Sequence, residues 1–147
     1  MMRDEIPFAL VLVDLDRFKL VNDTHGHEAG DRSLRTFAHV VRTMLREDDH
    51  IARWGGEEFL IALPHSDIEG AVDVMNRIRA SLANVLQGGH VVFTASFGVT
   101  DSTRAESLQD LIRLADRGLY AAKAGGRDRV VVGGPIEDPT DVLYSER

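Results

Sequence analysis

Residues 8–14 are apolar without a break until Asp14, the pattern of a strand covered on both faces. The stretch that follows, DLDRFKLVNDTHGHEAGD, is polar and glycine-bearing, which predicts a surface connection. From Ser33 onward, Leu34, Phe37, Ala38, Val41, Met44 and Leu45 recur every three or four positions, predicting a helix with one buried stripe. HIARW, GGEE and FLIAL then predict strand, tight turn and strand, the glycines supplying the positive φ angles that a two-residue hairpin turn demands. Ile68, Val72, Met75, Ile78, Leu82 and Val85 mark a second amphipathic helix, closed by QGG. HVVFTASFGV predicts a strand; Leu108, Leu111, Ile112, Ala115, Leu119 and Ala122 a third helix; RVVV a last short strand. The predicted order is β, α, β, β, α, β, α, β. A hairpin inside an α/β chain implies a mixed central β-sheet flanked by helices rather than an all-parallel one. Residues 1–133 are expected to form one domain, and residues 134–147, rich in Gly, Pro and charge, a tail or linker.

Composition narrows what such a fold can do. At 147 residues the chain suits a single domain, and 44% hydrophobic with 28% charged residues is the balance of a globular protein. The formal net charge of −7 repels polyanions, so no nucleic-acid partner is expected, and bound phosphate needs a local cluster of cations. The absence of cysteine removes disulfides and thiolate chemistry. PFALVLV is too short to span a membrane and has no cleavage site, so the domain is expected to work in the cytoplasm without membrane contact, although a full-length protein carrying it can still be anchored.

Candidate chemistry gathers at two places. Asp14 and Asp16 end the first strand and, two apart, point to one face. Glu57 and Glu58 sit at the hairpin tip. If the hairpin neighbours the first strand, these carboxylates converge, and a hard divalent cation is the economical remedy for their repulsion. Mg²⁺ takes one or two carboxylates together with water and phosphate oxygens, which suits a nucleoside triphosphate, and Gly55 and Gly56 would let backbone approach that ligand closely. Against this stands the plainer reading: a soluble turn, strand-end polar residues, Asp31 as a helix N-cap and Lys19 as a solvated charge. Trp54 is read as strand packing, and Tyr120 and Phe97 as core.

Three motifs in order decide between these readings. RWGGEEF at 53–59 is similar to the signature hairpin of the GGDEF family, the diguanylate cyclases, in its GGEEF form. DLDRFKLVNDTHGHEAGD at 14–31 resembles the family's D-[IL]-D-x-F-K-x-x-N-D-x-x-G-H-x-x-G-D stretch, and ADRGLYAAKAGGRDR at 115–129 its A-D-x-A-L-Y-x-A-K-x-x-G-R-N helix. The resemblance covers about residues 8–132 and implies a fold similar to class III nucleotide cyclase catalytic domains and polymerase palms.

The resemblance also implies an activity: two GTP molecules condense into cyclic di-GMP, releasing two pyrophosphates, with Mg²⁺ or Mn²⁺ as cofactor, one or two ions per active site. Asp14 and Glu57 would hold metal through side chains and Leu15 through its carbonyl. Asn22 and Asp31 would bind the guanine edge, with His27 nearby; Lys19, Lys123 and Arg127 would take the phosphates. Glu57 would assist removal of the hydroxyl proton, and Glu58 would orient the site. Because one domain binds one GTP, a homodimer is implied. REDD places Arg46 and Asp49 in the register of the family's R-x-x-D motif, five residues ahead of the glycine pair; with Arg77 from a partner domain this implies an inhibitory product site. The alternative is a catalytically silent member that binds GTP or cyclic di-GMP as a regulator.

Three departures stand out. Asp128 replaces the family's usual Asn, and Gly118 a helix-favouring Ala, worth up to about 1 kcal/mol in helix propensity. Ahead of the first strand, MMRDEIP stands where relatives carry D-x-L-T-G-L-x-N-R, which suggests a truncated domain normally governed by an upstream sensor.

Overall fold

The computed structural model of the chain describes residues 6–134. In chain order the elements are β1 (Phe8–Leu15), α1 (Phe18–His25), α2 (His27–Met44), β2 (His50–Arg53), β3 (Glu58–Pro64), α3 (Ile68–Leu86), β4 (Ala95–Asp101), α4 (Leu108–Ala124) and β5 (Val130–Val132). The sheet order is β2-β3-β1-β4-β5. β1, the apolar run, lies in the centre, antiparallel to both β3 and β4. β5 adds parallel to β4. The sheet is therefore mixed, as the hairpin pattern predicts.

Alternation along the strands sorts the two faces. Ala9, Val11, Val13 and Leu15 join Phe59, Ile61, Phe97 and Val99 in one core with Phe37 and Val41 of α2 and Met75, Ile78 and Leu82 of α3. The other face is covered by α4, where Leu12 packs on Ala115 and Leu119. This second layer is shallow because Gly98 on β4 meets Gly118 on α4. A Cβ at Gly98 would fall 2.0 Å from the Ala115 carbonyl oxygen, and one at Gly118 would fall 2.6 Å from the Val131 carbonyl oxygen. Gly118, a poor helix former by propensity, is thus the residue that lets α4 lie against the sheet.

Several expectations need correction. The segment read as a surface connection is mostly helical: α1 fills it, and α2 begins at His27 rather than near Ser33. α1 is short and leaves Leu20 exposed, with Val21 its one fully buried residue, so it shows almost no apolar stripe. Asp31 lies inside α2 and is no N-cap. The strand expected from His90 starts at Ala95, although Phe93 before it is buried. Val85 and Leu108, expected on buried stripes, are exposed, and Leu86 is buried instead. The start of MMRDEIP and the tail beyond Gly134 lie outside the described residues.

Candidate active site

The C-terminal end of β1 is the focus. Asp14 lies directly across from Glu58 of β3 and Ser96 of β4, and directly opposed residues share a face. That face is the one α4 covers. Asp14 is only 5% exposed, and Lys123, in the last turn of α4, donates from Nζ to its Oδ2 at 2.5 Å. Burial pushes the Asp14 carboxyl up to about 6; Lys123 pulls the other way, and the Glu57 and Glu58 carboxylates push it up further. The anion at Asp14 is therefore poorly served by the protein alone, in a place suited to more positive charge.

The hairpin tip is bound to this strand end. Leu15 N–H donates to the Glu57 carbonyl at 3.1 Å, and Trp54 N–H donates to the Glu58 carbonyl at 2.7 Å. Arg53 props the loop from below, donating to the Gly56 carbonyl from Nε at 2.9 Å and from Nη2 at 2.6 Å. The expected two-residue turn is not what forms: Trp54 to Glu57 make a four-residue loop between β2 and β3. Neither Gly55 nor Gly56 has φ in the left-handed region, and a Cβ on either would meet nothing within 4 Å. The fold itself makes no demand for glycine at either position. Trp54, expected to pack within a strand, is 49% exposed beside them, because the strand ends at Arg53.

α1 and α2 form a second wall. Lys19 is exposed in the first turn of α1, whose N-terminus has no side-chain cap. Asn22 faces α2 at Gly30, where a Cβ would lie 1.8 Å from Asn22 Oδ1 and 3.1 Å from Cζ of Phe18. Asn22 Oδ1 is buried without a hydrogen-bond partner. His27 and Asp31 are exposed on the first turns of α2, Asp31 next to Gly30. Gly30 is a packing position that reading the motif residue by residue overlooks, although it neighbours Asp31 in sequence.

Asp16, grouped with Asp14 by spacing but given no role by the family resemblance, is an organiser. It points to the same face, as the spacing predicts, but its carboxylate is filled: Ser96 Oγ donates to Oδ1 at 2.6 Å, and Thr94 Oγ1 and Asp128 N–H donate to Oδ2 at 2.6 and 3.0 Å. It thus ties the turn after α4, which carries Arg127, to the strand end. Arg127 is partly buried.

The remaining predicted set lies elsewhere. Arg46 donates to Asp49 from Nε and Nη2, each at 3.2 Å, and also to the Pro64 carbonyl at 2.7 Å and Ser66 Oγ at 3.0 Å. The Asp49 side chain is 4% exposed, and its hydrogen bond and charge hold the Arg46 guanidinium more firmly protonated than usual. Arg77, on α3, pairs with Asp73 at 3.0 Å. Arg46 and Arg77 are thus each engaged by an acid of their own element or loop.

Among the described residues no trio of His, Asp or Glu side chains is gathered around a metal position. The implied ligand set asks for less, two carboxylates and one carbonyl, with water and phosphate completing the shell of a hard cation. The buried carboxyl of Asp14, raised by burial and by two glutamates, fits that role. No described helix is long and apolar enough to cross a membrane.

Comparison with known proteins agrees with this geometry. Residues 2–129 match the family described as diguanylate cyclase, GGDEF domain. The diguanylate cyclase DgcM of Escherichia coli (strain K12) is 40% identical over 124 residues, 84% of this chain and 30% of the relative. DgcP of Pseudomonas aeruginosa is 39% identical over 88% of this chain and 20% of its own length. The chain therefore spans less than a third of these relatives. Among solved structures, diguanylate cyclase SiaD of Pseudomonas aeruginosa, in complex with its activator SiaC, has a TM-score of 0.82 at 40% identity, covering 89% of this chain and 52% of that one. The active GGEEF domain of a diguanylate cyclase from Vibrio cholerae has a TM-score of 0.76 at 30% identity, covering 89% and 85%. The coiled coil and GGDEF domain of DgcB from Caulobacter crescentus, in complex with c-di-GMP, has a TM-score of 0.79 at 29% identity, covering 86% and 70%. With its mixed sheet, its hairpin tip bound to the end of β1 and its match over residues 2–129, the chain belongs to the GGDEF family of diguanylate cyclase domains.

Proposed function

We propose that this domain is a diguanylate cyclase, joining two GTP molecules into cyclic di-GMP and releasing two pyrophosphates. The observation that carries the reading is the tip at 54–57: two glycines the fold does not require, bound to a strand end where Asp14 meets Glu58 and Lys123. Glycine there leaves room for a phosphate chain to lie against backbone.

Each residue then has a task. Asn22 presents a buried, unpaired acceptor, and Asp31 beside Gly30 adds a carboxylate; together they suit the N1–H and N2–H₂ donors of guanine. Adenine offers no such pair and would leave an acceptor unsatisfied. His27 borders the same pocket. Lys19, Lys123 and Arg127 supply the cations that a chain of net charge −7 needs around a triphosphate. Asp14, the Leu15 carbonyl and Glu57 would hold Mg²⁺ or Mn²⁺, which when bound neutralises charge on the transferring phosphate. The 3′-hydroxyl oxygen of one GTP forms a bond to the α-phosphorus of the other, and the bond to pyrophosphate breaks. The hydroxyl proton passes toward Glu57, which Glu58 helps to orient. A second transfer in the opposite sense closes the ring. Alignment of two substrates supplies most of the acceleration, so two domains must face each other and the working unit is a homodimer.

The same reading extends to regulation and context. Arg46 and Asp49, with Arg77 from a second domain, form a site where cyclic di-GMP inhibits. Residues 1–133 are the cyclase unit, 134–147 a tail or linker, and an upstream sensor in the full-length protein sets the dimerisation of a domain that works in the cytoplasm. The test is product formation from GTP and Mg²⁺ at several protein concentrations. Cyclic di-GMP and pyrophosphate should rise faster than linearly with protein and vanish in Glu57→Ala. A domain that binds GTP yet makes no product even when fused to a strong dimeriser would instead be a silent regulator.

A further inference from the structure

Arg127 sits in a turn whose backbone is unusual. Arg127 and Asp128 are consecutive non-glycine residues at φ 66° and 48°, in the left-handed region that such side chains seldom occupy. Something must hold them there. From within its own segment the turn has Arg127 N–H donating to the Ala122 carbonyl at 2.9 Å, and Arg129 Nε donating to the Arg127 carbonyl at 2.9 Å. From outside it has two grips on one residue. Asp16, at the end of β1, accepts the Asp128 N–H at 3.0 Å. Arg79, on α3, takes the rest of Asp128: Nη2 donates to its carbonyl at 2.7 Å and to Oδ1 at 3.1 Å, and Nε donates to Oδ1 at 3.2 Å. The remaining Arg79 nitrogen, Nη1, donates to Asn76 Oδ1 at 3.0 Å, which fixes the guanidinium plane from its own helix.

We propose that Arg79 is a positioning residue for nucleotide binding: by gripping both the carbonyl and the carboxylate of Asp128 it holds the left-handed turn that aims Arg127 at the triphosphate. This rests on the cyclase reading of the site. An ordinary exposed ion pair contributes little, because solvent and side-chain entropy cancel most of its attraction. This pair differs in that the same guanidinium also binds backbone at a strained position, where a lost contact lets the φ angles relax. Asp128 strengthens the grip, since its single Oδ1 accepts from two Arg79 nitrogens and carries the charge that an asparagine oxygen would lack. The link also runs across 49 residues of chain, from α3 to the turn behind α4.

The test uses 3′-deoxy-GTP, which lacks the nucleophilic hydroxyl and so reports binding without turnover, together with hydrogen exchange of the 125–129 amides. Arg79→Ala should weaken 3′-deoxy-GTP binding roughly tenfold, equivalent to about 1.4 kcal/mol, leave guanosine binding unchanged, and speed exchange at 127–129. Arg79→Lys should recover only part, since an ammonium cannot hold carbonyl and carboxylate in one fork. Asp128→Asn should weaken binding less than Arg79→Ala and add nothing to it in the double variant. Unchanged triphosphate affinity and exchange in Arg79→Ala, or additive losses in the double variant, would overturn the proposal. If the unaltered domain binds no 3′-deoxy-GTP, the cyclase reading fails, and the exchange arm alone then decides whether Arg79 holds the turn.

Discussion

The two faces of the sheet are built on opposite principles. Toward α2 and α3 the strands present bulk: Phe59, Phe97 and Ile61 against Phe37, Met75 and Ile78, with Phe37 and Phe59 rings 5.1 Å apart. Toward α4 they present Ser96, Gly98 and Thr100, all fully or nearly buried, with Asp14 at the end of β1 and Glu58 beside it on β3. The first face gains stability from apolar area; the second trades area for a close approach that brings Lys123 onto Asp14. A face thin enough for a helix backbone to touch the sheet can deliver a cation to a buried carboxylate.

Emptying the bulky face should cost the most. Phe37→Ala removes a fully buried ring that contacts both Phe59 and Phe97, so urea denaturation should show a loss of about 3–5 kcal/mol, with the guanine preference of the remaining folded protein unaltered. A loss below about 1 kcal/mol would mean that this face is not where stability resides.

On the thin face the sign itself is the test. By helix propensity, Gly118→Ala should stabilise by about 1 kcal/mol. The added Cβ would lie 2.6 Å from the Val131 carbonyl oxygen and 3.0 Å from Gly98 Cα, both backbone atoms that cannot swing aside. We expect a net destabilisation of about 1–3 kcal/mol, accompanied by weaker nucleotide binding as α4 and Lys123 lift away. Stabilisation would refute the seam.

The charged end of that face should show the opposite sign. Folded Asp14 titrates near 6 against an ordinary 3.8, so between those values the folded chain holds a proton that the unfolded chain has lost. Stability from this group therefore falls as pH rises through the window, and the penalty is complete above it. Asp14→Asn should raise metal-free stability at neutral pH by about 1–3 kcal/mol and by nothing below pH 4, while abolishing turnover. Addition of Mg²⁺ should raise the melting temperature of the parent protein and not that of the variant. A variant no more stable than its parent at neutral pH would show that Lys123 already satisfies the carboxylate.

The contrast between faces also explains what the sequence disclosed. The bulky face is written in periodicity: the apolar run of β1 and most of the stripe positions of α2 and α3 are buried there, and the mixed sheet comes with them. On the thin face only the stripe of α4 is periodic; the sheet side is written in small and polar residues, which carry no such signal. Gly118 looks like a weak spot until Val131 is seen above it, and Asp16 looks like a second metal ligand until Thr94, Ser96 and Asp128 are found on it. α1 escaped notice for the same reason, since a helix that buries mainly Val21 has no stripe to read. The individual motif residues were recognisable only through family likeness. That Asp14, Glu58 and Lys123 meet depends on contacts between residues up to 109 positions apart, which no local pattern records.

The smallest effect on stability should fall at the junction of α1 and α2, and it should be the most informative about substrate. Gly30→Ala places a Cβ 1.8 Å from Asn22 Oδ1, but that atom is the end of a flexible side chain and can turn away. The fold should lose no more than about 1 kcal/mol, because alanine also favours the helix. Asn22 cannot then keep its acceptor where guanine would meet it. Binding of 3′-deoxy-GTP should weaken roughly tenfold or more while that of the adenine counterpart changes little, the mark of a lost specific hydrogen bond rather than a blocked pocket. Equal losses for both bases would point to simple obstruction, and no loss for either would remove Asn22 from the guanine site. Asp31→Ala separates the two contributions: it leaves the α1–α2 packing intact, so any relaxation of guanine preference it causes belongs to the carboxylate alone.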